Sequence, residues 1–66
     1  MNFAYKKPEC SLTNIDGNVY SIIGHVSKTI RRAGYPDKAK EFSLKAFAAE
    51  SYDQVLQLAM SYVEVQ

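Results

Sequence analysis

The chain has 66 residues, of which 47% are hydrophobic and 23% charged, a balance typical of a folded domain rather than of a disordered segment. A chain of this length forms one small domain, which buries only about 60% of the surface that its unfolded form exposes. The formal net charge of +1 argues against a general nucleic-acid-binding protein, because such proteins normally carry a strong positive excess.

A core this small needs additional support, which usually comes from disulfides, metals or oligomerisation. One cysteine, Cys10, cannot form an internal disulfide, and Cys10 with the single histidine, His25, supplies too few ligands for a zinc site. We therefore expect a homo-oligomer without a metal or another cofactor. Since the lone cysteine suits a reducing compartment and no signal peptide or membrane helix is evident, we expect a cytoplasmic protein with no membrane partner.

The N-terminal part of the chain is predicted to be an arm over residues 1–8, followed by a single helical domain over residues 9–66. Pro8 disfavours a strand that continues through the arm into the domain. A weak alternation over residues 9–15 allows a short strand. One face of that strand would carry Cys10, Leu12 and Asn14.

The first helix is predicted from about residue 19 to residue 33, after a turn at Asp16-Gly17-Asn18 in which Asn18 is suited to be the N-cap. At about 100° per residue its apolar side chains share one face, which predicts that this face is buried. These side chains are Val19, Ile22, Ile23, Val26, Ile30 and Ala33. Two arginines in the last turn favour the helix dipole, and Gly34 is suited to end the helix.

The second helix is predicted from about residue 36 to residue 50, with Pro36 at its first position. Two of its sides are apolar, so we expect one to face the core and the other to face a neighbouring subunit. The predicted core side carries Ala39, Phe42, Ala46 and Ala49. The predicted oligomer interface carries Leu44, Phe47 and Ala48.

The third helix is predicted from about residue 52 to residue 63, because Ser51 and Gln54 match the capping-box pattern at its start. Its expected buried residues are Tyr52, Val55, Leu56, Ala59, Tyr62 and Val63. Residues 62–65 have strand-like composition and either continue this helix or leave it to pair with residues 10–14. The predicted fold class is mainly α: a small three-helix domain, with or without a short pair of terminal strands.

The face of the first helix opposite its apolar face is small, polar and cationic, and no acidic residue lies between Val19 and Gly34. Side chains at positions i, i+4 and i+7 stack on one helix face and can converge on a phosphate or a carboxylate. The candidate binding residues are Tyr20, Ser21, Gly24, His25, Lys28, Arg31, Arg32 and Tyr35. The alternative is the solvated face of an ordinary amphipathic helix, with Tyr20 and Tyr35 serving equally well in packing.

No catalytic signature is found in the sequence, since Cys10 and His25 would also need an orienting group and an oxyanion site. A protein that is not an enzyme is therefore predicted. Three functions stay open: a binding protein for an anionic small molecule, an inhibitor of another protein, and a small nucleic-acid-binding protein. The inhibitor would bind its target either through an acidic surface that the basic face recognises or through the Leu44 and Phe47 side of the second helix. The near-zero net charge makes the third the least favoured.

Several short motifs together cover most of the chain: Asp16-Gly17-Asn18, Ile22, Gly24, Arg31-Arg32-Ala33-Gly34, Tyr52-Asp53, Leu56, Met60 and Tyr62-Val63. From about residue 9 to the end, the chain resembles a family of short uncharacterised bacterial proteins associated with phages and other mobile elements. No activity of that family supplies functional residues for this chain. The resemblance implies a small accessory protein that counters host defence, a context in which the anionic ligand would be a nucleotide immune signal.

Overall fold

The computed structural model of the protein describes residues 5–12 and 17–66, and it confirms a small, mainly α domain with a short pair of strands. The elements in chain order are β1 (Glu9–Cys10), α1 (Val19–Arg32), α2 (Pro36–Phe47), α3 (Tyr52–Tyr62) and β2 (Glu64–Val65). The helices enclose one core, and the strands bring the two ends of the chain together. Residues 1–4 of the predicted arm, residues 13–15 of the predicted strand, and Asp16 of the predicted turn lie outside the described residues.

The two strands are parallel, with Glu9 opposite Glu64 and Cys10 opposite Val65. The backbone N–H of Glu64 donates to the carbonyl oxygen of Pro8 at 2.9 Å, and that of Gln66 donates to Cys10 at 3.0 Å. Val63 is already extended, with φ −137° and ψ 160°, so α3 ends at Tyr62 rather than at residue 63. Of the two predicted courses for the C-terminal residues, strand pairing is therefore the correct one, although the pairing involves Glu9 and Cys10 rather than residues 10–14.

Both ends of α1 are formed by local hydrogen bonds that its sequence predicts. The side chain of Asn18 accepts from the backbone N–H of Tyr20 at 2.8 Å, which makes Asn18 the N-cap. At the other end, the N–H of Gly34 donates to the Arg31 carbonyl and that of Tyr35 to the Ile30 carbonyl. This is a Schellman motif, in which glycine takes the left-handed conformation, and the φ of Gly34 is 99°.

The second helix is shorter than predicted, because it ends at Phe47 instead of continuing to residue 50. The following residues 48–51 connect α2 to α3 and bring Ser51 into an extended conformation, with φ −149°. Ser51 then caps α3 by accepting from the backbone N–H of Gln54 at 3.1 Å. The side chain of Gln54 accepts in return from the N–H of Glu50 at 2.8 Å.

The core is built from one face of each helix together with Cys10 and Val63. The buried hydrophobic residues are Cys10, Ile22, Ile23, Val26, Ile30, Ala39, Phe42, Ala46, Val55, Ala59, Tyr62 and Val63. Among the residues predicted to be buried, Val19, Ala49 and Leu56 are only partly buried against this core, and two others are exposed. Ala33 is exposed because α1 ends at Arg32, and Tyr52 remains 46% exposed because it lies in the first turn of α3, at the margin of the core.

Candidate functional site

The cationic face of α1 is open to solvent along most of its length. Ser21, Gly24, Lys28, Arg31 and Arg32 are all exposed, and we call these five residues the basic strip. Apart from the backbone of α1 itself, a Cβ atom added at Gly24 would meet no atom of the described residues within 4 Å, so none of these residues covers the middle of the strip. A ligand or a second backbone can therefore approach the helix closely at this point.

The cations of the basic strip differ from those of α2 in their electrostatic partners. Lys38 and Lys45 each lie 3.8 Å from the carboxylate of Glu41, within the same helix. In the described part of the chain, the three cations of the strip take part in no ion pair. Their charge is consequently available to an external anion, whereas that of α2 is partly neutralised.

His25 was predicted to belong to the binding face, and the structure gives it an internal partner. It is half-buried, and its Nε2 lies 2.8 Å from the carbonyl oxygen of Ser11. Because a carbonyl only accepts, this ring nitrogen donates the hydrogen bond. His25 therefore ties the segment that follows β1 to α1 and forms one edge of the strip.

The two tyrosines of the predicted site lie in different surroundings. Tyr20 is 67% exposed, and its ring is tilted by 30° against that of Phe47, with 5.9 Å between the ring centroids. Tyr35 is half-buried and packs edge-on against Tyr5 at 4.6 Å, while its hydroxyl accepts from the backbone N–H of Lys6. Tyr20 therefore adjoins the strip as an open aromatic surface, whereas Tyr35 is engaged in packing.

The predicted oligomer interface on α2 is also open, since Leu44, Phe47 and Ala48 are exposed. Phe47 lies beside a shallow groove of about 400 Å³ between the start of α1 and the α2–α3 connection. The groove is also lined by Tyr20, Glu50 and Tyr52. Neither Glu50 nor Tyr52 was predicted at this surface, because their position depends on the course of the α2–α3 connection and not on a local pattern.

A second aromatic group, composed of Tyr5, Tyr35, Phe42 and Tyr62, lies near the C-terminal end of α1. The hydroxyl of Tyr5 donates to the backbone carbonyl of Tyr62 at 2.5 Å, and the hydroxyl of Tyr62 donates to the carboxylate of Glu41. Burial and this hydrogen bond raise the pKa of Tyr62 to about 12, and the same bond lowers the pKa of Glu41. Burial, together with the neighbouring tyrosines, raises the pKa of Tyr5. These residues join the N-terminal segment to the helices.

The cysteine and the acidic residues form no reactive grouping in the described ranges. The Sγ of Cys10 is buried and lies 3.6 Å from the Oγ1 of Thr29, to which it donates. Across residues 5–12 and 17–66, no three His, Cys, Asp or Glu side chains come together as a group that could hold a metal ion. Over those same ranges, no helix is both long enough and apolar enough to cross a membrane.

Comparisons with protein-family models, with curated proteins and with solved structures give no match to this chain.

Proposed function

We propose that this chain is a non-enzymatic binding protein that holds an anionic ligand on the basic strip of α1. The observation that carries the proposal is the exposure of Lys28, Arg31 and Arg32 with no ion pair among the described residues. An acidic residue within reach would partly neutralise such a cluster, as Glu41 does for Lys38 and Lys45 of α2. A concentration of unpaired cations raises the local potential even on a protein of low net charge.

The side chains of the strip suit a phosphate-bearing ligand. Arginine presents a planar fork of N–H donors that matches phosphate oxygens, lysine supplies a point charge, and Ser21 adds a hydroxyl. Gly24 leaves the space between these groups open. The exposed ring of Tyr20 offers a surface on which a nucleobase can stack.

A nucleotide is therefore the ligand that we propose. Its phosphates would contact the strip and its base would lie towards Tyr20. The resemblance to short phage and mobile-element proteins supports this choice, since a small protein that sequesters a nucleotide immune signal protects the element from its host without catalysis. We propose that the chain acts as such an anti-defence accessory protein in the cytoplasm.

The test is a thermal-shift screen with cyclic and linear dinucleotides, followed by calorimetric titration of those that raise the melting temperature. A ligand at 100 times its dissociation constant stabilises the folded state by about 2.7 kcal/mol, which is readily seen as a shift in melting temperature. Lys28→Glu should abolish the shift. Lys6→Glu, an equal change of charge at an exposed lysine outside the strip, is the matched control and should retain the shift.

The same variants distinguish the other functions. Binding of a DNA or RNA oligonucleotide that weakens steeply with salt, without any response to dinucleotides, would replace the proposal with nucleic-acid binding. Equal shifts in Lys28→Glu and Lys6→Glu would show that the strip is not the site. An absence of any shift across the screen would overturn the nucleotide proposal.

A further inference from the structure

Apart from Tyr20, the apolar surface beside the basic strip has no role in the proposed function. Its large side chains are Tyr20, Leu44, Phe47 and Tyr52, which are 67%, 64%, 61% and 46% exposed. The three aromatic side chains alone expose on the order of 350 Å². Apolar patches of this size on small proteins are commonly sites of interaction.

We propose that a second copy of this chain covers this surface, in a two-fold dimer in which the two α1 helices cross in opposite directions near Gly24. A stable interface buries about 800 Å² on each partner, and the three aromatic side chains alone expose a little under half of that area. Gly24 permits the crossing because its surface is open and it has no side chain to separate the helices. A domain of this length also buries more apolar surface when it associates with a second copy.

Charge complementarity favours a second copy over an unrelated partner. Glu50 lines the groove and is exposed, and it has no ion pair among the described residues. A helix rises 1.5 Å per residue, so Arg31 lies about 10 Å from Gly24 towards the C-terminal end of α1. Val19, which lies beside the groove, is about 7 Å from Gly24 in the opposite direction. A two-fold axis at Gly24 therefore brings Arg31 of each copy to Glu50 of the other.

In this arrangement the second copy covers Tyr20, so a ligand at the interface is held through its phosphates by the cations of the strip and not through its base. Arg31 is three helical turns from Tyr20 and lies on the same side of α1, whereas Arg32 lies about 100° further around the helix. Arg32 of each copy then lines the rim of the interface, whereas Lys28, about 6 Å from Gly24 on the same side of α1, lies within it. The anion site so formed receives cations from both copies, and this last step rests on the proposed anion-binding function.

The interface is tested by sedimentation equilibrium over a concentration series. The wild-type chain should be a dimer, and Phe47→Asp should be a monomer whose helical circular dichroism is unchanged. Met60→Glu, a charge introduced at a residue of α3 that is 52% exposed, is the matched control and should remain a dimer. A monomeric wild-type chain, or equal dissociation of both variants, would overturn the proposal.

The register is tested by exchanging the charges of the proposed ion pair. Arg31→Glu and Glu50→Arg should each weaken dimerisation about tenfold, because each change acts twice across the two-fold axis and leaves like charges opposed. The double variant Arg31→Glu/Glu50→Arg should restore the wild-type dissociation constant. Additive weakening in the double variant would overturn the crossing at Gly24.

Titration of the variants with the dinucleotides of the thermal-shift screen separates the two proposals. If Phe47→Asp is monomeric and binds at least tenfold more weakly than the wild-type chain, two copies form the site. If it is monomeric and binds with unchanged affinity, the shared site is overturned and the proposed function remains. If the wild-type chain is a dimer that binds none of them, the proposed function fails and the interface remains.

Discussion

The two aromatic groups lie towards opposite ends of α1 and have opposite relations to solvent. The group near Gly34 is closed: Tyr5, Tyr35 and Tyr62 are buried or half-buried, and their hydroxyls take part in hydrogen bonds. The group at the start of α1 is open: Tyr20, Phe47 and Tyr52 keep 46–67% of their surface exposed. Aromatic side chains of similar size therefore serve folding at one end, and at the other they remain available for contact.

The difference follows from what covers each group. At the closed end, the N-terminal segment lies across the helices, with Tyr5 edge-on to both Tyr35 and Tyr62 at 4.6 and 6.3 Å between ring centroids. At the open end, no segment in the described part of the chain plays the corresponding role. The comparison indicates that the closed group stabilises the monomer, while the open group contributes little to its stability.

The largest expected effect is a difference in the free energy of unfolding between two variants, each at a phenylalanine of one of the two aromatic groups. Phe42→Ala should lower the free energy of unfolding by about 3–5 kcal/mol, because Phe42 is fully buried and its removal leaves a cavity. Phe47→Ala should change it by less than about 0.5 kcal/mol, as expected for an exposed site. Urea denaturation of the two variants at a concentration where the chain is monomeric measures both values. Similar losses would remove the distinction between the two groups.

A smaller effect is expected at the hydroxyl of Tyr62. Tyr62→Phe should lower the free energy of unfolding by about 1 kcal/mol, because the hydrogen bond to Glu41 is lost while the carboxylate stays accessible to water. The folded-state pKa of about 12 exceeds the ordinary value of 10.0, so the folded chain retains a proton that the unfolded chain releases above pH 10. The stabilisation by this group is therefore complete below pH 10 and lost as the pH rises towards 12.

The pH dependence of the free energy of unfolding provides the control for the prediction at Tyr62. Between pH 10 and 12 the wild-type free energy of unfolding should fall more steeply than that of Tyr62→Phe, because both chains share every other titrating group. Parallel curves would contradict the raised pKa.

The smallest effect is expected at Gly24 and has the opposite sign. Gly24→Ala should raise the stability of the monomer by about 0.5–1 kcal/mol, since alanine is favoured inside a helix and meets nothing within 4 Å. Gly34→Ala should lower it by about 1–2 kcal/mol, because a φ of 99° is unfavourable for residues with a Cβ. Thermal unfolding of the two variants checks the signs, and equal signs would contradict the different roles of the two glycines.

The extent of successful prediction differs between the helices. The limits of α1 were predicted to within one residue, because the N-cap Asn18 and the left-handed Gly34 act within a few residues of the helix that they bound. The end of α2 was misplaced by three residues, since Ala48 and Ala49 have no local signal that stops a helix. That end depends on where the chain must turn so that α3 can pack.

The candidate site also combines features that the sequence predicted with features that it did not. Exposure of Lys28, Arg31 and Arg32 follows from their position opposite the apolar face of α1, so the sequence was enough to identify them. The hydrogen bond of His25 to Ser11 and the packing of Tyr35 on Tyr5 join residues far apart in the chain. No helical spacing contains that information.

What the sequence by itself determined is therefore the set of helices, their caps and the cationic face of α1, because periodicity and capping depend on neighbours along the chain. The tertiary structure decided how the ends are used: the parallel pairing of β1 with β2, the closure of the Tyr5 group and the exposure of the Tyr20 group. Those features depend on which segments meet in space, and that is fixed by burial of the core as a whole.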